Sequence, residues 1–206
     1  SGLIEYANFL SSMGQFEESV KAAMRAVAID PLSPSTHNEL GWSLWTAGRR
    51  EAALAKFHDA LQLDAEFFQT HWSIAEWHTL EGEYDEAMPF LNELKLGFES
   101  LAPIQIGRLG HNYALAGWTD DALELLNYLL KRAETEYIPG SALALVYLGL
   151  EDDEEALAWL EVAYEQRDNS LIWIREDPPF YRLRDDPRFQ NLMARMNFPV
   201  KIRSED

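Results

Sequence analysis

Apolar residues along the chain recur at spacings of three and four. Ala53, Phe57, Ala60 and Leu61 form one such set, and Leu123, Leu126, Leu129 and Leu130 another. This is the period of one face of an α-helix. The small residues Ser19, Ala53, Ala87, Ala122 and Ala156 are separated by 34, 34, 35 and 34 positions. Gly14, Gly48, Gly82 and Gly117 precede the first four of them by five residues. Each glycine falls where a helix must stop and the chain reverse, which favours a residue able to adopt φ > 0. The pattern predicts five helix–turn–helix units, at about 3–33, 34–67, 68–102, 103–136 and 137–167.

A second set of small residues, Ala7, Gly41, Ala75, Gly110 and Ala144, lies on the first helix of each unit and is expected to face the first set. Small against small lets paired helices approach closely. Repetition then predicts an all-α, right-handed superhelical solenoid with one concave surface. Ser33-Pro34 reads as an N-cap followed by proline at the first helical position. Pro89 falls early in a second helix, where it deletes a backbone bond; a slight kink is expected there, and a weak point at that turn. In the fifth unit Glu151 stands where the others have the turn glycine.

The period of 34 and the pattern Leu40-Gly41, Leu44, Gly48, Ala53, Phe57 and Ala60 resemble the tetratricopeptide repeat. The resemblance covers about residues 3–167 and implies a protein-interaction module without catalytic activity. His37 and His71 depart from the family pattern, standing where a tryptophan or leucine is expected early in the first helix.

Residues 168–200 follow the array and depart from the 34-residue pattern. Asp186-Pro187 is another cap-plus-proline start, and Phe189, Leu192, Met193 and Met196 make an apolar helical stripe. A solenoid needs a terminal cap, because its last repeat would otherwise expose its apolar face; the stripe predicts a C-terminal capping helix. Asp177-Pro178, Phe180, Leu183-Arg184, Asp186-Pro187-Arg188-Phe189, Leu192 and Met196 also resemble the C-terminal region of bacterial multidomain regulators. In those proteins a repeat array follows a winged-helix or nucleotide-cyclase effector. That resemblance implies a regulatory or scaffolding module. Ser1-Gly2 reads as a cloning remnant, so the chain is expected to be a piece of a longer protein.

Thirty-five acidic against seventeen basic side chains leave a net charge of −18. Phosphate backbones are poor partners for such a chain, so no nucleic acid is expected to bind this fragment. The absence of cysteine excludes disulfides and thiolate zinc sites. No run approaches the ~20 apolar residues of a membrane span, and no membrane association is expected. A cytoplasmic location is expected, with the periplasm also compatible. Residues 1–170 carry 10 basic and 29 acidic groups, whereas 171–206 carry 7 and 6.

Candidate chemistry is sparse. His71 and His78 lie seven apart, not the four of a zinc helix, and Glu76 is on the wrong face to complete a set. His37 and His71 occupy a packing position of the repeat, which favours histidines bonded between helices. Glu151-Asp152-Asp153-Glu154-Glu155 reads as a solvated helix start favoured by the N-terminal dipole. No Gly-x-Ser-x-Gly elbow and no phosphate-cradling loop is present. No enzyme activity, metal or cofactor is expected.

One stripe of each first helix is expected to line the groove: Asn8, Asn38 with Trp42, Trp72 with Glu76, and His111, with Trp45 bordering it. Tryptophans at a concave surface suit anchor binding, and the asparagines can bond a bound main chain. Repeat proteins that hold chaperone C-termini use Lys and Arg as a carboxylate clamp. Here Ile4, Gln69 and Ser73 stand at the basic positions, and Glu39 and Glu76 would repel a carboxylate. A basic or amphipathic protein or peptide is the expected partner. Self-association, through the groove or the Phe189–Met196 helix, is the alternative, giving a homodimer that controls an upstream DNA-binding or cyclase domain.

Overall fold

The structure, a computed structural model, describes residues 2–197. Ser1, of the Ser1-Gly2 pair expected to be a remnant, and residues 198–200 of the expected C-terminal extension lie outside the described residues. The protein is all-α, with no strand among the described residues. It divides into two compact units, residues 1–96 and 97–206.

The first unit holds three helix pairs: α1 (Gly2–Ser12) with α2 (Phe16–Ile29), α3 (Pro34–Thr46) with α4 (Arg50–Leu63), and α5 (Phe68–Glu81) with α6 (Tyr84–Lys95). Its core joins Ala7, Leu10 and Ala23 to Leu40, Leu44, Phe57 and Ile74. Gly14, Gly48 and Gly82 turn the chain between the helices of each pair at φ 74, 78 and 78. Gly41 is required for a different reason: a Cβ there would lie 2.3 Å from the Phe57 ring of α4. Ser33 caps α3 in extended conformation with Pro34 behind it, but its hydroxyl makes no cap bond. Thr36 Oγ1 donates instead to the carbonyls of Asp30 and Ser33, each at 2.9 Å. Helix α6 runs unbroken through Pro89 to Lys95. The chain divides just beyond it, between Leu96 and Gly97.

The second unit begins with a 3-10 turn, Phe98–Ser100, and continues through α7 (Pro103–Leu115), α8 (Thr119–Ala133), α9 (Gly140–Gly149) and α10 (Asp153–Gln166). Helix α9 is apolar all round, and only Tyr147 among its residues escapes full burial. Such a helix must be covered on every side. Helix α7 meets it almost backbone to backbone: a Cβ on Gly107 would lie 2.2 Å from the Ala142 carbonyl oxygen, and one on Gly149 2.7 Å from that of His111. Gly110, expected to face the second helix of its own pair, faces Val146 of α9 instead. Where the fifth pair lacks its glycine, Glu151 itself adopts φ 63.

Two 3-10 segments, Asn169–Ile172 and Pro178–Leu183, and α11 (Pro187–Arg195) complete the unit. Phe189, Leu192 and Met193 of α11 pack into one core with Leu157 and Leu160 of α10, which makes α11 the cap that the stripe predicts. Leu171, Ile174, Phe180 and Leu183 of the preceding segments join that core beside Leu145 and Leu148 of α9. The tail also keeps the 34-residue register that its sequence conceals. Arg182 reaches the Leu148 carbonyl, Arg188 pairs with Glu154 and Arg195 with Glu161, each 34 residues apart. Helix α11 thus begins 34 residues after α10, at Pro187 against Asp153.

Candidate functional site

The candidate residues sit on the first helices, and in the first unit they join neighbouring pairs. Asn8 Nδ2 on α1 donates to Glu39 Oε2 on α3 at 3.3 Å. Burial holds the Glu39 carboxyl up at about 7, against which the Asn8 bond works in the other direction. Asn38 Oδ1 accepts from Thr70 Oγ1 at 3.1 Å and from Ser73 Oγ at 2.9 Å, both on α5. The Trp42 indole donates to Ser73 Oγ at 2.8 Å. Its ring stacks on Trp45 with centroids 4.8 Å apart and stands edge-on to Phe57.

This network sorts the seven candidates. Trp42 and Asn8 keep part of their surface. Asn38 and Trp45 lie just beneath, and Trp45 belongs to the core of the unit. Trp72 is 8% exposed and Glu76 1%. Trp42, Asn38 and Trp45 are therefore brought together by Ser73 and by the stack, and Asn8 bonds Glu39, one helical turn before Trp42 on the same face.

In the second unit His111 is fully inside. Its Nδ1 lies 3.1 Å from the Leu145 carbonyl of α9, and burial pushes the imidazole down to about 4. The face of α7 and α9 is overlaid by the tail. Arg108 of α7 grips Asp177 through both carboxylate oxygens, one bond at 3.1 Å. Asp168 accepts from the Ser141 hydroxyl at 2.5 Å and from its backbone nitrogen. A cavity of about 370 Å³ remains between α7, α9 and the tail, lined by Ile104, Leu145, Trp173 and the Arg108–Asp177 pair. Nothing in the chain's pattern singled out Asp168, or Asp177 as an ion-pair partner. Position 108 recurs in the register of Glu39 and Ser73, each of which bonds a neighbouring first helix, and that recurrence is the only signal for Arg108 as a contact residue.

The histidines have structural roles. His37 Nε2 lies 3.0 Å from the Pro31 carbonyl, and His71 Nε2 2.7 Å from that of Ala65. In both cases a first helix is tied to the loop six residues before it. Among the described residues no cluster of three metal-ligating side chains occurs. No helix among them is long and apolar enough to cross a membrane. The acidic run does open α10, with Asp152 accepting from the Glu155 nitrogen at 3.1 Å. It is solvated as expected, and within it Asp153 and Glu154 also pair with Arg182 and Arg188 of the tail.

The fold is thus that of a helical-hairpin repeat protein. Residues 2–31, the α1–α2 pair, match the tetratricopeptide repeat family model. Among solved structures, the nearly identical TPR-like repeats from Podosopora anserina are 18% identical, with 82% of this chain and 95% of that chain covered and a TM-score of 0.57. The pilF protein of Pseudomonas aeruginosa is 17% identical, with 95% and 90% covered and a TM-score of 0.56. No curated protein matches the chain. The architecture is the tetratricopeptide-repeat fold, and a fold of this kind suits a protein-interaction scaffold.

Proposed function

We propose that the chain is a non-catalytic interaction module, and that its partner surface lies on the first-helix face of the first unit, around Trp42. The observation that carries this is the state of Trp42. Its ring is locked by Trp45, Phe57 and the bond to Ser73, yet part of it stays in contact with solvent. A rigid, partly exposed tryptophan gives contact area at little entropic cost, which is the property of a binding anchor. Asn8, Asn38 and Glu39 surround it with polar groups. Trp45, Trp72 and Glu76 are buried within the first unit and His111 within the second, so none of the four is offered to a ligand. Glu39 and the acidic chain favour a basic or amphipathic segment as ligand. The tail's resemblance to regulatory proteins supports a place within a larger bacterial polypeptide.

Selection from a displayed random-peptide library tests this. Enriched peptides should combine Lys or Arg with an aromatic or aliphatic anchor. Trp42→Ala should weaken them roughly tenfold to a hundredfold. Glu39→Lys, which leaves the aromatic stack alone, should abolish the preference for basic residues. Enrichment of acidic peptides, or indifference to both substitutions, contradicts the proposal.

A further inference from the structure

The repeat places a covered first-helix face in register with an open one. A constant shift of 103 residues carries Glu5 and Asn8 of α1 onto Arg108 and His111 of α7. The same shift carries Asn38, Glu39 and Trp42 of α3 onto Ser141, Ala142 and Leu145 of α9. In the second unit this face already holds a segment, the chain's own Asp168–Phe180. Asp168 accepts from the Ser141 hydroxyl, Asp177 pairs with Arg108, and Ile174 and Phe180 join the core of Leu145. In the first unit Trp42 replaces Leu145 and keeps part of its surface. The charge is also inverted there, with Glu5 in place of the cation and Glu39 in place of an alanine.

We propose that the α1–α3 face takes a partner segment built like Asp168–Phe180 with its charge reversed: a lysine or arginine where Asp177 stands, then two prolines and an aromatic residue. This rests on the partner surface around Trp42 and specifies what that surface recognises. The shape of such a segment travels with its sequence. Asp177 is extended, at φ −85 and ψ 118, as the residue before a proline is expected to be. Pro178 and Pro179 then open the 3-10 turn that contains Phe180. A short peptide with these prolines is prearranged and loses little freedom on binding. Charge sets its direction. A cation three residues before the aromatic meets Glu5 as Asp177 meets Arg108, and the aromatic ring falls on Trp42, where ring-on-ring contact adds to burial. The same carboxylates repel Asp177, so the chain's own tail is excluded from the first unit and is kept by Arg108 in the second.

Fluorescence anisotropy with two labelled synthetic peptides tests this. One has the sequence of residues 168–183 with Asp177→Lys, and the other keeps Asp177. The whole chain should bind the lysine peptide at least roughly tenfold more tightly than the aspartate peptide. Phe180→Ala within the lysine peptide should weaken it roughly tenfold or more. Glu5→Lys in the chain, at an exposed position, should remove the preference for the lysine peptide with helicity unchanged. Equal affinity for the two peptides, tighter binding of the aspartate peptide, or a preference that survives Glu5→Lys overturns the proposal. If the lysine peptide fails to bind while library-selected basic peptides still bind through Trp42, the proposed segment is wrong and the partner surface stands. If neither kind binds, both fall.

Discussion

The two units are built from the same 34-residue pair, but their first helices meet in different ways. In the first unit they are joined by side chains: Asn8 to Glu39, Asn38 to Thr70 and Ser73, Trp42 to Ser73. In the second, glycines bring α7 and α9 into near contact of backbones, and the tail lies over both. Side-chain joints leave polar and aromatic groups at the surface that another molecule can use. Backbone joints under a tail leave mainly a closed core. One repeat thus yields an open face and a covered one.

Substitutions at the tight contacts should show this difference most strongly. Trp72→Ala removes a large side chain that is 8% exposed and should cost about 3–5 kcal/mol in denaturant unfolding. Gly107→Ala should cost about 3 kcal/mol, because the added methyl meets the Ala142 carbonyl, which cannot be trimmed away. Gly41→Ala meets only the Phe57 ring. It should cost less, and Phe57→Leu should recover part of the loss. If Gly107→Ala is as mild as Gly41→Ala, the backbone joint is not what holds α7 to α9.

Acidification should move the two units in opposite directions. Glu39 is held up at about 7 against an ordinary 4.5, so the folded chain takes up a proton that the unfolded chain does not. Its contribution is full below about 4.5 and is lost as pH rises through about 7. His111 is pushed down from 6.5 to about 4. Its contribution is full above about 6.5 and is lost as pH falls towards 4. Between pH 7 and pH 5, protection against hydrogen exchange, taken relative to the intrinsic rate at each pH, should rise in α3 and fall in α9, by on the order of 1–2 kcal/mol each. Glu39→Gln and His111→Gln should each flatten one response.

The smallest effect is expected at the fifth turn. Glu151 adopts φ 63 where the other four turns have glycine, so Glu151→Gly should raise stability by up to about 1 kcal/mol. Its 3.7 Å pairing with Arg182 is exposed and offsets little of this. Thermal unfolding of the variant is sufficient to check the sign.

What was legible in the sequence followed from periodicity. The turn glycines at 14, 48, 82 and 117 and the stripe of Phe189, Leu192 and Met193 depend on local geometry and on a repeated register, and both are visible in a string of residues. The candidate surface was only partly legible. Asn8, Trp42 and Trp72 share one stripe by spacing, but how far each is buried depends on what packs over the helix, and spacing does not carry that. The tail's role was hidden for the same reason. Its contacts to α7 and α9 span up to 69 residues, as in Arg108 to Asp177, and the register it shares with α10 lies in charge pairs. Apolar periodicity does not reveal such pairs.

The contrast between an open and a covered first-helix face is tested most directly by hydrogen–deuterium exchange of the whole chain with and without a selected basic peptide. Protection should appear in α3, around Trp42, and in the neighbouring turn of α1 at Asn8, with α9 and the tail at 169–183 unchanged. Protection centred on α7, α9 or the tail, with α3 unaffected, would contradict the account.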